Sequence, residues 1–174
     1  IPNMLLSGPP GIGKTTVAKA LCNQLGADYY VINGSDEGRF LDTVRTNAKN
    51  FASTVSLTSE SKHKVIIIDE ADNTTSDVQL LLRASIEEFS KNCRFIFTCN
   101  YKNKIIDPLH SRCTVVDFSI NKKDKPTIAT QFFSRLTNIL EEEKIDTDKK
   151  VVAQLINQHF PDWRRVLNEC QRYS

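Results

Sequence analysis

Short apolar runs, each closed by a polar or glycine-containing cluster, alternate over the first two thirds of the chain with stretches whose apolar residues recur every three or four positions. The runs Met4-Leu5-Leu6, Tyr29 to Ile32, Val65-Ile66-Ile67-Ile68, Arg94 to Thr98 and Thr114 to Phe118 predict five strands. Between them, Val17, Ala18, Leu21, Cys22 and Leu25 fall on one helical face, as do Phe40, Val44, Ala48, Phe51 and Val55. A third face runs through Val78, Leu81, Leu82, Ser85, Ile86 and Phe89, with Thr75 or Ser76 as its cap. The polar stretch Ser56 to Lys64 reads as an exposed loop, and Pro108 sits in a short connector.

Beyond the fifth strand the pattern becomes wholly helical. Ile128, Phe132, Leu136, Ile139 and Leu140 make one apolar face, Val151, Val152, Leu155 and Ile156 another, and Trp163, Val166, Leu167 and Cys170 a third. Three such helices can bury a small core of their own, in which Trp163 reads as packing, and Asn121-Lys122-Lys123-Asp124-Lys125 ahead of them reads as a hinge. The expected division is an α/β domain over residues 1–120 and a helical lid over 121–174. Strand and helix alternation implies a parallel sheet covered on both faces, because right-handed crossovers force that packing. Ligands then sit at the carboxyl ends of the strands.

The polar residues at those ends carry the chemistry. Gly8-Pro9-Pro10-Gly11-Ile12-Gly13-Lys14-Thr15, followed by Thr16, matches the phosphate-loop pattern G-x-x-x-x-G-K-[ST] between a strand and a helix. Glycines there can turn successive amide hydrogens into an anion nest, and the helix beginning near Lys14 adds its positive end. Lys14 supplies a point charge to the β and γ phosphates, and the Thr15 hydroxyl can ligate magnesium. Asp69-Glu70 follows the fully apolar run, so Asp69 is assigned to the metal and Glu70 to activation of a water. Two acids after a strand can also simply open an exposed turn. Asp72 reads as a structural residue at the start of the next helix. Asn100, at the tip of a strand between the phosphate-loop strand and the acidic strand, is placed to bond water and γ phosphate, although an Asn after a strand is also an ordinary turn former.

Composition narrows this only a little. The 174 residues, 40% hydrophobic, allow one core plus a small satellite, and a net charge of +2 selects no class of partner. Neither an 18-residue apolar run nor a secretory signal is present, and the chain is expected to be soluble and cytoplasmic, with no membrane partner. The five cysteines, Cys22, Cys93, Cys99, Cys113 and Cys170, show no C-x-x-C pair and are expected to be reduced, packed thiols. His63, His110 and His159 show no ligand spacing.

Taken in order, the phosphate loop, Asp69-Glu70-Ala71-Asp72, Asn100 and Ser111-Arg112-Cys113 resemble the AAA+ ATPases, and among them the clamp loaders that mount sliding clamps on DNA. Asn33-Gly34-Ser35-Asp36 is close to that family's Asn-Ala-Ser-Asp, Phe51-Ala52 also matches, and Phe160-Pro161-Asp162-Trp163-Arg164-Arg165 is similar to its Gly-Asp-Met-Arg-Arg. Gly34 and the Phe-Pro-Asp-aromatic-Arg form lean toward the large subunit of T-even-type bacteriophage clamp loaders. The resemblance implies an AAA+ P-loop fold with a three-helix lid, and an ATP- and Mg²⁺-dependent hydrolase.

By the same resemblance, Asn100 is the first sensor, Arg112 a finger reaching a neighbouring subunit's nucleotide, and Arg164 the second sensor, working from the lid. Partners implied are other loader subunits in a pentamer, the sliding clamp and primer-template DNA, and the setting is the cytoplasm of an infected cell if the chain is viral. Gln79 and Arg83 resemble residues of a DNA-facing helix, with Gln79 a link to Glu70; for either residue a solvated helix face is as good a reading. The segment that helps hold adenine and the carboxyl-terminal collar domain of that family have no counterpart between Ile1 and Ser174. This piece alone is therefore expected to bind ATP poorly and turn it over slowly. Competing readings are a branch-migration helicase or replication initiator, a nucleotide-binding assembly subunit without catalysis, and, more distantly, a P-loop kinase.

Overall fold

A computed structural model describes residues 1–35, 43–54 and 64–173. The predicted positions Asp36, Phe40, Val55 and His63, and the loop over 56–63, lie outside the described residues. The described chain divides into two compact units, one of residues 1–8 and 14–118, the other of 9–13 and 119–174.

The first unit is built on β1 (Met4–Ser7), β2 (Tyr29–Asn33), β3 (Lys64–Asp69), β4 (Cys93–Cys99) and β5 (Thr114–Asp117). These form a sheet in the order β2-β3-β4-β1-β5 with every pairing parallel. Its helices are α1 (Lys14–Gln24), α2 (Lys49–Ser53, following a π-helical turn Thr43–Ala48), α3 (Ser76–Glu88) and the short α4 (Asp107–His110). The unbroken apolar run of β3 is explained by its place in the sheet. Val65 and Ile67 pack with Ala18 and Cys22 of α1, whereas Ile66 and Ile68 pack with Val78, Leu82 and Ile86 of α3, and all four are fully buried. Successive side chains of a strand point to opposite faces, so a strand covered on both sides must be apolar at every position. Each such side chain contributes about 1.5–3 kcal/mol by leaving water.

Two expectations are corrected here, and one choice is settled. Val17 and Leu25, assigned to the buried face of α1, are 46% and 42% exposed, because the stripe that meets the sheet is narrow: Ala18 and Cys22, with Leu21 partly buried beside them. Lys64 belongs to β3 and not to the preceding loop. Its stem is buried, its ammonium lies over the Phe51 ring, and it donates to the Phe51 carbonyl and to Thr54 Oγ1 at 3.1 and 2.6 Å, so the charge is satisfied inside the fold. Thr75, one of two proposed caps, is the N-cap of α3, its hydroxyl accepting from the Val78 amide at 3.5 Å.

The second unit contains α5 (Lys125–Glu142), α6 (Lys149–His159) and α7 (Trp163–Tyr173). Leu136, Leu140, Val152, Ile156 and Val166 form its core. Trp163 stacks on Phe132 with ring centroids 4.1 Å apart and meets Phe160 edge-on at 5.1 Å, a packing role. Val151 and Leu167, expected on apolar faces, are 59% and 42% exposed: they flank the buried stripe without entering it. Residues Pro9–Gly13 group with this unit, and the contact responsible joins Gly11 to Asp162 at the start of α7. Among the described residues, no helix is long and apolar enough to cross a membrane.

Candidate nucleotide site

The carboxyl edge of the sheet gathers the predicted polar residues. Gly8 follows β1, and its amide donates to the Cys99 carbonyl at the end of β4 at 3.2 Å. Lys14 opens α1 with its side chain 7% exposed, and its ammonium donates to the Gly8 carbonyl and to Asn100 Oδ1, both at 2.8 Å. Thr15 Oγ1 donates to Asp69 Oδ1 at 2.6 Å. Lysine, threonine, carboxylate and amide are thus joined by direct hydrogen bonds although they lie up to 86 positions apart in sequence. Gly11 and Gly13 have φ of +72° and +97°, the left-handed region that a loop turning its amides inward requires. A Cβ on Gly13 would enter open space, so glycine is required there for conformation and not for clearance.

Thr98 organises the acidic pair and was missed by the sequence reading. Fully buried in β4, its hydroxyl donates to Asp69 Oδ1 at 2.5 Å and accepts from the Glu70 amide at 3.0 Å. A hydroxyl inside an otherwise apolar strand was the available signal. Glu70 adopts a left-handed backbone, φ +54° and ψ +45°, a conformation costing a non-glycine residue about 1–2 kcal/mol. The bond from its amide to Thr98 helps hold it there. Its Oε2 accepts from Ser35 Oγ and, at 3.2 Å, from Asn73 Nδ2. Gly34 explains itself in the same place: a Cβ would lie 2.5 Å from the Glu70 carbonyl oxygen, so the close approach of the two turns excludes alanine.

Asp72 is structural, as expected, and has a definite task. Its Oδ2 accepts from the amides of Asn100 and Tyr101 at 3.1 and 3.0 Å, fixing the turn that aims the Asn100 side chain at Lys14.

Gln79, offered as a DNA-facing residue, is corrected: it is 1% exposed. Its amide nitrogen donates to the carbonyls of Thr74 and Lys104 at 3.3 and 3.0 Å, and its Oε1 accepts from the Ile106 amide at 2.8 Å, which leaves no polar atom for a partner. Arg83 stays at the surface, its side chain 40% exposed and 3.7 Å from Glu87 Oε2. Arg112 is also at the surface, 31% exposed, with Nε and Nη2 on Glu87 Oε1 at 2.9 and 2.5 Å and Nη1 on the Pro108 carbonyl at 2.9 Å. The hydrogen bond from Arg112, ahead of an opposing desolvation, holds the Glu87 carboxyl below the usual carboxylate range. Arg164 is exposed on the first turn of α7.

The oxygen set of Thr15 and Asp69 suits magnesium, a hard cation that takes few protein ligands and fills its shell with water and phosphate. Among the described residues no cluster of three or more His, Cys, Asp or Glu could hold a metal by itself.

A phosphate loop, a strand-end pair of acids and an adjoining strand-end amide on a parallel sheet define a P-loop nucleotide-binding module. The chain belongs to the ATPase family associated with various cellular activities (AAA), whose model matches residues 4–123. Residues 124–174 match a second model, the AAA+ ATPase lid domain of the sliding-clamp-loader large subunit. The chain is 43% identical over 178 residues to the sliding-clamp-loader large subunit of Escherichia phage RB69, aligning over 100% of itself and 54% of that protein. It is 44% identical to the same subunit of Enterobacteria phage T4, again over 100% of itself and 54% of the relative. With the replication factor C small subunit of Methanocella arvoryzae it shares 42% identity, over 98% of itself and 52% of the relative. It thus spans about half the length of these relatives. Among solved structures, the Thermotoga maritima RuvB Holliday junction branch migration motor superposes with a TM-score of 0.72 at 20% identity, over 97% of this chain and 52% of that one, a likeness of fold.

Proposed function

We propose that this chain is the ATPase module of a sliding-clamp loader, which couples ATP binding and hydrolysis to opening a processivity clamp and placing it on primer-template DNA. The observation that carries the reading is the bonded set Lys14–Asn100 and Thr15–Asp69 at one sheet edge, in a chain whose helical end matches a clamp-loader lid. Lys14 and the backbone N–H groups of Gly11 to Thr16 hold the phosphates, Pro9 and Pro10 having none to give. Thr15 and Asp69 would hold magnesium, which neutralises charge on the β and γ oxygens. Glu70 takes a proton from the attacking water as the γ phosphorus–oxygen bond to ADP breaks, and Asn100 orients that water. For this, the Glu70 carboxylate must exchange its bonds to Ser35 and Asn73 for the water.

Arg112 completes the pocket of an adjoining subunit, and Arg164 reaches the γ phosphate from the lid. A planar, permanently charged fork suits both positions. The whole machine is a hetero-oligomer, pentameric by resemblance, acting in the cytoplasm of an infected cell. Arg83 contacts the DNA backbone, a contact that weakens as salt rises. The test is ATP turnover by the full-length protein with its partner subunits, with and without clamp and primed DNA. Stimulation by both together supports the reading, and turnover indifferent to both refutes it.

A further inference from the structure

Glu87 lies at the far end of α3 from the acidic pair and belongs to no part of the nucleotide site described above. Its two oxygens divide between two arginines, Oε1 accepting from Nε and Nη2 of Arg112 and Oε2 lying 3.7 Å from Arg83. Two further anchors come from the stretch just before Arg112: the Pro108 carbonyl at the start of α4 takes Nη1 of Arg112 at 2.9 Å, and Ser111 Oγ lies 3.3 Å from the same nitrogen. A guanidinium has five N–H donors. Among the described residues these contacts account for Nε, one hydrogen of Nη2 and both of Nη1, and leave the second Nη2 hydrogen for a partner. An exposed ion pair adds little to stability, because water screens it and ordering two long side chains costs entropy. Glu87 from α3 and two groups within four positions of Arg112 converge on one surface arginine, and they fix a direction more than they add stability. An arginine has many rotamers to lose on docking, and one already held in place does not lose them again.

We propose that Glu87 is a positioning residue for Arg112, holding the guanidinium in the pose from which it meets the phosphate of a nucleotide bound by an adjoining subunit. This rests on the reading of Arg112 as a finger acting across subunits. Glu87 touches neither nucleotide nor water and works only through the arginine. The pair links α3, which follows directly on the acidic turn, to the loop that carries Arg112.

The experiment is steady-state ATP turnover by the full-length, assembled complex with clamp and primed DNA, for Glu87→Ala, Glu87→Gln, Arg112→Ala and the Glu87→Ala/Arg112→Ala pair. Misplacing a reacting group by about 1 Å can cost roughly 100-fold in rate. Glu87→Ala is expected to lower kcat by about 10- to 100-fold with KM for ATP within about twofold, and Glu87→Gln, which keeps an accepting oxygen, to fall between it and the parent. In the Arg112→Ala background, Glu87→Ala is expected to change nothing further, because a positioning residue has no effect without its client. Thermal midpoints within a few degrees of the parent separate this from loss of fold. A full Glu87→Ala effect persisting without Arg112, a change in KM instead of kcat, or a normal kcat in Glu87→Ala beside a crippled Arg112→Ala overturns the proposal while leaving the finger reading intact. A normal kcat in Arg112→Ala overturns the finger reading itself, and the role of Glu87 with it.

Discussion

Replacing Gln79 by leucine keeps the volume of the side chain and removes every polar atom from a site that uses all of them. The Ile106 amide loses its acceptor at 2.8 Å, and the carbonyls of Lys104 and Thr74 lose donors at 3.0 and 3.3 Å. A buried amide left without a partner costs about 1–3 kcal/mol, and each lost bond to a carbonyl about 0.5–1.5 kcal/mol. Leucine recovers about 1 kcal/mol through its added apolar burial, so the net destabilisation is about 1–5 kcal/mol. In a chain of this size 1 kcal/mol moves the thermal midpoint by about 2–4 °C, which puts the expected fall at roughly 2–20 °C. Gln79→Glu keeps the bond to Ile106 but turns an acceptor toward two carbonyls, so it too is expected to destabilise. Urea unfolding followed by circular dichroism measures both variants. A Gln79→Leu protein within about 1 kcal/mol of the parent, with an unchanged slope, would refute the reasoning, because the three bonds would then carry no net weight. The consequence reaches beyond stability, since residues 102–106 lead directly into α4 and Arg112, and Gln79 ties them to the first turn of α3.

Other expectations follow from the same geometry. Glu70→Gln should abolish turnover in the assembled protein while nucleotide binding, read by a fluorescent ATP analogue, persists; loss of both together would remove Glu70 from the role of base. Gly11→Ala should destabilise the helical unit by about 1–3 kcal/mol, because the added Cβ would lie 1.8 Å from Asp162 Oδ1, which would have to give up its bond to the Arg165 amide, and because φ is +72°. Pairing it with Asp162→Ala should cost less than the sum of the two, as read by thermal unfolding, and strict additivity would contradict the contact. Burial pushes the Cys93 and Cys99 thiols up to about 11 and Cys113 up to about 12, so in the native protein at pH 8 iodoacetamide should label these three far more slowly than after denaturation, as read by mass spectrometry. For the same groups the folded state keeps a proton that the unfolded chain has already lost. Their contribution to stability is therefore complete below about pH 8.5, where unfolded thiols begin to ionise, and declines as pH rises toward 11.

What could be read from the chain before any coordinates was whatever depends on local spacing. The phosphate loop, the acids after an unbroken apolar run and the amide at the tip of the next strand are each a few residues long, and parallel packing brings them to one edge. Periodicity also identifies helical faces, but it does not say how wide a stripe the neighbours cover, and so Val17, Leu25, Val151 and Leu167 were placed inside when they lie at the margin. Gln79 failed for the complementary reason. A polar residue beside an apolar stripe looks solvated, and only the distant Lys104 carbonyl and Ile106 amide make it a buried junction. Lys64 misled because a charged residue ahead of a strand resembles a loop, while its partners sit 10 and 13 positions upstream. The pairing of Arg112 with Glu87 spans 25 positions and leaves no local trace.

The sheet order β2-β3-β4-β1-β5 makes β4 the ruler of the site. It lies between the strand that delivers the phosphate loop and the strand that delivers the acids. Two positions of that region do the spacing, Thr98 inside the strand and Asn100 just after it. Thr98 grips Asp69 and the Glu70 amide; Asn100 grips Lys14 through its side chain and Asp72 through its backbone. The distance between the cationic and the acidic halves of the site is therefore set by one strand-end segment, bonded to both. Because Asp72 sits in the turn leading to α3, and α3 ends at the acid that holds Arg112, the same rigid path runs from Lys14 to the arginine on the surface. A shift of β4 relative to either neighbour would disturb the Lys14 ammonium, the Asp69 carboxylate and the Glu70 turn together. The site therefore behaves as one mechanical piece, although its residues come from four separate stretches of chain.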